Sequence, residues 1–176
     1  MLFVIIAGGK LRGPLWVSCC STTAALYGLS NWKKLLSLFL IILENKMTNT
    51  SSYLLQFDGG AQPNPGIGAG AAVLFNNGVV IGEVVEHYDH CTNNFAEYNG
   101  LILGLEMALQ KQIRNITVEG DSMLVIQQVQ GRWKVAAEGL KPLCLRAKEL
   151  LARFDSVVVR HIPRAQNSHA DALTRA

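Results

Sequence analysis

The sequence predicts an α/β domain: a five-stranded mixed sheet, three antiparallel strands followed by parallel ones, with helices packed on it. Three features lead there. Apolar residues make up 49 % of 176, enough for one domain of ordinary size with a real core. Three strand-like runs follow one another between residues 53 and 88, with a hairpin signal, Asn76-Asn77-Gly78, between the second and third. Beyond residue 92 apolar residues recur at helical spacing, and helices then alternate with strands to the end.

In order, Tyr53–Asp58 reads as a strand that ends in an acid and a tight loop, Gly59-Gly60-Ala61-Gln62-Pro63-Asn64-Pro65-Gly66. Taken alone, Asp-Gly-Gly marks a turn more often than a site. Gly68–Phe75 is a second strand of small residues, and Val79–Tyr88 a third. A helix is expected from Asn94 to Lys111, capped by Thr92 or Asn93, with Leu101, Leu105 and Ala108 on one face. Ile113–Glu119 is the fourth strand, with Asp121 just past its end; Ser122–Val129 is a short helix that stops near Gly131. Leu140–Phe154 carries Leu143, Ala147, Leu150 and Leu151 at helical spacing, Val157–Ile162 is the fifth strand, and Gln166–Thr174 the last helix.

Residues 1–46 differ in kind. They are apolar, aperiodic and poor in acids, with five basic residues and one acid for a charge of +4 up to Lys46. The uncharged run Leu35–Leu43 is too short to span a bilayer, and Met1 leads straight into an apolar run without the basic start of a secretory signal. The expectation is an N-terminal extension outside the fold, with Met47 as the working start and 47–176 as the domain; an organellar transit segment is the alternative. No stable membrane partner is expected, and the compartment is cytoplasmic unless residues 1–46 are a transit segment. Cys19, Cys20, Cys91 and Cys144 lack metal-ligand spacing and read as free thiols in a reducing compartment.

Residues 48–176 hold eleven basic and twelve acidic residues, a charge of −1, so net charge alone does not mark a nucleic-acid binder. Four of those acids stand out by position. Asp58 and Asp121 each close an apolar strand, Glu97 lies in the first turn of a helix, and Asp171 lies in the last helix. If the two acid-tipped strands are parallel neighbours, both carboxylates meet at the carboxyl end of the sheet. Gathering like charges there is unfavourable unless cations sit between them. Hard divalent ions with oxygen ligands, Mg²⁺ or Mn²⁺, meet that need.

These residues carry a resemblance. Asp58-Gly59-Gly60 with Asn64-Pro65-Gly66, Thr92-Asn93-Asn94 with Glu97, Asp121-Ser122, and Asn167 with Asp171 resemble ribonuclease HI over residues 53–175. The segment His161-Ile162-Pro163-Arg164-Ala165-Gln166-Asn167 is similar to the compact, reverse-transcriptase-like branch of that family. The resemblance implies an RNase H-like fold with helices on both faces of the sheet. It implies an endonuclease that hydrolyses the RNA strand of RNA–DNA hybrids with two metal ions; a monomer is expected. Asp58, Glu97, Asp121 and Asp171 would be the metal ligands. Gly59 and Gly60 would offer backbone groups to the RNA, and Asn93 and Asn94 would read 2′-hydroxyls. Asn64 and Thr92 would contact phosphate of the DNA strand, with Ser122 and Asn167 also near substrate. His161 is either the family's proton-transfer and product-release histidine or a structural one.

The chain departs from the bacterial enzymes in having only Gly131-Arg132-Trp133-Lys134 where they carry a basic protrusion. Trp133 is either a stacking platform or a cap on the sheet. Arg160 and Arg164 either meet phosphate or are solvated strand ends. Tyr98 reads as core, and His87 and His90 as surface. Two rival readings remain: a non-catalytic nucleic-acid-binding module of the same fold, and a retroelement-derived domain. Four intact acids speak against the first, because unneutralised carboxylates repel phosphate.

Overall fold

The structure is a computed structural model that describes residues 52–175; the N-terminal extension expected over residues 1–46 lies outside the described residues. Its strands are β1 (Tyr53–Ala61), β2 (Gly66–Asn76), β3 (Val79–Cys91), β4 (Asn115–Gly120) and β5 (Ser156–His161). Its helices are α1 (Asn93–Gln110), α2 (Met123–Val129), α3 (Lys141–Leu151) and α4 (Ser168–Leu173), with 3₁₀ turns at Glu138–Leu140 and Arg164–Gln166. The sheet order is β3-β2-β1-β4-β5. β1, β2 and β3 pair antiparallel, whereas β4 runs parallel to both β1 and β5. This is the mixed sheet that the element order predicts.

The hairpin between β2 and β3 turns on Asn77 and Gly78, both at positive φ (50° and 79°). That backbone matches the twist of paired strands, and Asn-Gly adopts it with little strain. α1 starts where expected: the Thr92 hydroxyl accepts from Phe95 N at 3.3 Å.

β1 does not stop at Asp58. It runs through Gly59, Gly60 and Ala61, which pair with Gly70, Ala69 and Gly68 of β2. The turn chemistry of Asp-Gly-Gly loses to the cross-strand ladder. The absent side chains serve helix packing instead: a Cβ on Gly59 would lie 2.1 Å from Glu97 N, and one on Gly100 would lie 2.4 Å from Asp58 O. α1 therefore lies against the β1–β2 floor at backbone contact.

Alternate residues of the sheet face α1. Leu55, Phe57 and Leu74 pack there with Tyr98, Leu101 and Leu105, and Val118, Val125 and Leu150 extend the same core toward α2 and α3. Each such buried side chain contributes on the order of 1.5–3 kcal/mol. Tyr98 is core, as its position suggests, and its hydroxyl donates to Gln128 Oε1 at 2.8 Å. α4 packs on the other face, where His169 meets the Phe75 ring edge-on and contacts Glu83 at 2.6 Å. Among the described residues no helix is long and apolar enough to cross a membrane.

Candidate active site

The parallel ladder between β1 and β4 ends at the pair Phe57–Gly120, while the antiparallel ladder of β1 continues past it. Asp58 and Asp121 are thus the residues immediately beyond that last pair, on two strands that part there. Gly120 is buried against the Phe57 ring, so the backbone leading into Asp121 lies close to β1. Glu97 reaches the same place from the second turn of α1, not the first turn as the sequence suggested, because α1 already begins at Asn93. One carboxylate oxygen from each of Asp58, Glu97 and Asp121 lies within 4.8 Å of the others.

Such crowding alters the acids. Burial, and then the neighbouring Asp121 charge, push the Asp58 carboxyl up to about 6. Burial also raises Glu97 well above the usual carboxylate range, helped by Asp58 and Asp121. Glu97 Oε2 is buried without a hydrogen-bond partner. An orphaned carboxylate oxygen beside two further carboxylates suits a hard cation and suits no donor supplied by the protein.

Asp171 stands differently. Arg164 donates to its Oδ1 at 2.5 Å, and Arg175 donates to its Oδ2. Burial would raise this carboxyl, but the hydrogen bonds from Arg175 and Arg164 outweigh it and hold Asp171 below its usual range. Asp171 belongs to the same electrostatic neighbourhood, since its charge raises Asp58. It is not among the three carboxylates that meet at 4.8 Å.

Asn167 is fully buried, and its side-chain amide donates to Phe57 O at 2.8 Å and to Asp121 Oδ1 at 2.9 Å. It was expected among the substrate contacts; instead it is a buried strut between β1 and Asp121. The expected last helix from Gln166 to Thr174 is interrupted there: a 3₁₀ turn ends at Gln166, Asn167 caps, and α4 follows.

The remaining expected contacts form a rim. Asn93 Oδ1 accepts from Ala61 N at 2.7 Å, and Asn64 Oδ1 accepts from Asn93 N at 3.1 Å, so these two residues clamp the β1–β2 loop to the start of α1. Each keeps its exposed amide NH₂ as a donor. Thr92 is exposed and caps α1, Asn94 is partly exposed one position into it, and Ser122 precedes α2. Gly60 has nothing within 4 Å of where a Cβ would stand, so its backbone faces open space. His161 ends β5, exposed, with Nε2 3.1 Å from Asp121 O.

A cleft of about 640 Å³ runs from Asp58 and Glu97 over Gly60 and Gly68 to His87, with Arg164, Thr174 and Arg175 along one side. Three of these residues escaped the sequence reading. Thr174 donates to Asp58 Oδ2 at 3.3 Å, and Arg175 is four residues from Asp171. His87 is exposed, as read, but it also lines the cleft: Gly60 pairs with Ala69 and Ala69 with His87, two positions along from the Asp58 row on the same face. Strand parity carries that signal once the register is known. Arg160 donates to Glu119 Oε1 at 2.6 Å while its side chain stays 60 % exposed. Trp133 is half-exposed.

The reverse transcriptase-like family matches residues 56–176. The chain belongs to this family, a branch of the ribonuclease HI proteins. Ribonuclease HI of Halobacterium salinarum is 40 % identical over 118 residues, which cover 66 % of this chain and 59 % of that protein. The N-terminal RNase H domain of Rv2228c from Mycobacterium tuberculosis, solved as a maltose-binding-protein fusion, superposes with a TM-score of 0.69 at 35 % identity, covering 72 % of this chain and 92 % of that one. LC11-RNase H1, solved in complex with an RNA/DNA hybrid, gives a TM-score of 0.65 at 32 % identity, covering 70 % and 94 %. The chain spans 59 % of the length of the halobacterial ribonuclease HI and 34 % of full-length Rv2228c. These ribonuclease HI relatives share the five-stranded fold described above.

Proposed function

We propose that this chain is a divalent-cation-dependent endonuclease that hydrolyses the RNA strand of RNA–DNA hybrids. The observation that carries the reading is the meeting of Asp58, Glu97 and Asp121 within 4.8 Å, with Glu97 Oε2 buried and unpartnered. A nucleic-acid-binding module without catalysis has no use for three crowded carboxylates next to phosphate. The hybrid bound by the LC11 relative supports the same substrate class.

Asp58, Glu97, Asp121 and Asp171 would hold two Mg²⁺ or Mn²⁺ ions, which when bound activate water and relieve charge on the leaving oxygen of a phosphodiester. The protein's own groups select and place the strand. The outward amides of Asn93 and Asn94 reach ribose 2′-hydroxyls, the group that separates RNA from DNA. The open backbone at Gly60 lets the RNA strand lie close to β1, and Thr92, Asn64 and Ser122 meet phosphate at the rim. His161 donates from Nε2 to Asp121 O, which leaves Nδ1 as the acceptor that takes up and releases a proton at the mouth of the site. Residues 47–176 carry all of this as a monomer, with residues 1–46 an extension outside the catalytic domain.

The test is cleavage of a labelled hybrid alongside duplex RNA and duplex DNA, with and without chelator. Hybrid cleavage that needs Mg²⁺ or Mn²⁺ and disappears in Asp58→Asn and Asp121→Asn is expected. Equal cleavage by wild type and both variants, or activity indifferent to chelator, rejects the reading.

A further inference from the structure

One face of the sheet carries a polar row that the proposed chemistry does not use. Gln56, Glu119 and Arg160 are in register across β1, β4 and β5. Glu119 has a side chain only 7 % exposed, yet both of its oxygens are satisfied. Oε1 accepts from Arg160 Nε at 2.6 Å, and Oε2 accepts from Gln56 Nε2 at 3.0 Å. Gln56 Nε2 also lies 3.2 Å from Gln166 O, donating to the last residue of the 3₁₀ turn. The next residue is Asn167, the strut that holds Asp121 Oδ1 and Phe57 O.

We infer that Glu119 is a positioning residue. It orients the Gln56 amide, Gln56 pins the turn at Gln166, and the pinned turn aims Asn167 at Asp121. The inference rests on the proposed function for what Asp121 does, but not for the relay itself. A buried carboxylate is a demanding choice for a sheet face: it needs full pairing and gives little stability over an apolar residue of equal size. Its advantage here is direction. An ionised carboxylate accepts on both oxygens, so the shared Gln56 amide can only donate, and its second donor direction is left for Gln166 O. A glutamine at 119 would have to turn its own NH₂ toward either Gln56 or Arg160, and one link would be lost.

Three variants in the full chain separate the links. Glu119→Gln removes the double acceptor. Gln56→Leu leaves the Glu119–Arg160 pair intact and removes both Gln56 contacts, to Glu119 Oε2 and to Gln166 O. Arg160→Lys keeps a cation beside Glu119. Mn²⁺ affinity is read by calorimetry without nucleic acid, and kcat and KM are read on a hybrid. Glu119→Gln and Gln56→Leu are expected to weaken Mn²⁺ binding about tenfold and to lower kcat with KM changed less than about twofold, whereas Arg160→Lys stays near wild type. Variants that unfold at lower temperature but bind Mn²⁺ like wild type overturn the inference, since that is a purely structural role. If wild type binds Mn²⁺ but cuts no hybrid, the functional reading fails and the Mn²⁺ comparison still decides the role of Glu119. A wild-type chain that binds no Mn²⁺ overturns both.

Discussion

The side-chain amide of Asn167, at zero solvent exposure, donates to Asp121 Oδ1 at 2.9 Å and to Phe57 O at 2.8 Å. One residue thus ties the acid that follows β4 to the backbone of β1, next to Asp58. Asn167→Ala would leave Phe57 O buried without that donor and free the Asp121 carboxylate to rotate. The expected loss is about 1–3 kcal/mol of stability, and activity lower by about 10–100-fold. Urea unfolding and hybrid cleavage measure the two; a variant with wild-type kcat would show that Asp121 needs no such strut.

Gly59 and Gly60 are neighbours with opposite requirements. A Cβ at Gly59 would lie 2.1 Å from Glu97 N and 2.2 Å from Ala96 C, both backbone atoms that cannot give way without moving α1. Gly59→Ala is expected to destabilise by about 3 kcal/mol or more, or to prevent folding. Gly60→Ala meets nothing within 4 Å and should unfold like wild type. If the RNA strand crosses this floor, Gly60→Ala raises KM while leaving the thermal midpoint alone. Equal stability of the two variants would contradict the close approach of α1.

The acids give the domain a pH signature when cations are removed. Asp58 ionises near 6 in the fold against 3.8 for an unperturbed carboxyl. Between those values the folded state keeps a proton that the unfolded chain has released, so stability falls as pH rises from about 4 to 6 and stays lower above. Asp58→Asn removes this term, which is roughly 3 kcal/mol at most. In chelator, the melting temperature of Asp58→Asn should exceed that of wild type by more at pH 7.5 than at pH 5. A gap independent of pH would exclude the crowded-carboxylate account.

Arg164 and Arg175 occupy both oxygens of Asp171. A cation approaching Asp171 competes with them for the same two oxygens. Calorimetry without nucleic acid should therefore show tighter Mn²⁺ binding for an Arg164→Gln, Arg175→Gln double variant than for wild type. Weaker binding would mean that the guanidiniums organise Asp171 for the cation instead of competing for it.

Much of this site was legible in the sequence. The succession of elements along the chain, the Asn77-Gly78 hairpin and the Thr92 cap follow from periodicity, turn chemistry and capping, which are local. Asp58 and Asp121 stood out because polar residues at the ends of apolar runs are conspicuous. What stayed hidden depends on partners distant in sequence. Gly59-Gly60-Ala61 looks like a turn until β2 is laid beside it. Asn167 looks like a surface residue of a polar segment until its 110-residue contact with Phe57 is known. Glu119 and Arg160 look like ordinary strand polar residues until β4 and β5 are put in register. The pairing of Asp171 with Arg175 is a four-residue spacing along a helix end and could have been read directly.

The branching of β1, paired with β2 along its whole length but with β4 only as far as Phe57, bears on the order in which the domain is assembled. Asp58 and Glu97 belong to a sequence-local β-hairpin and helix that close on each other early, because short loops form faster than long ones. Asp121 and Asp171 arrive only when the C-terminal half docks. A nascent chain emerging from the ribosome would therefore carry Asp58 and Glu97 before Asp121 and Asp171, and the proposed cation site would be complete only once the C-terminal half has docked.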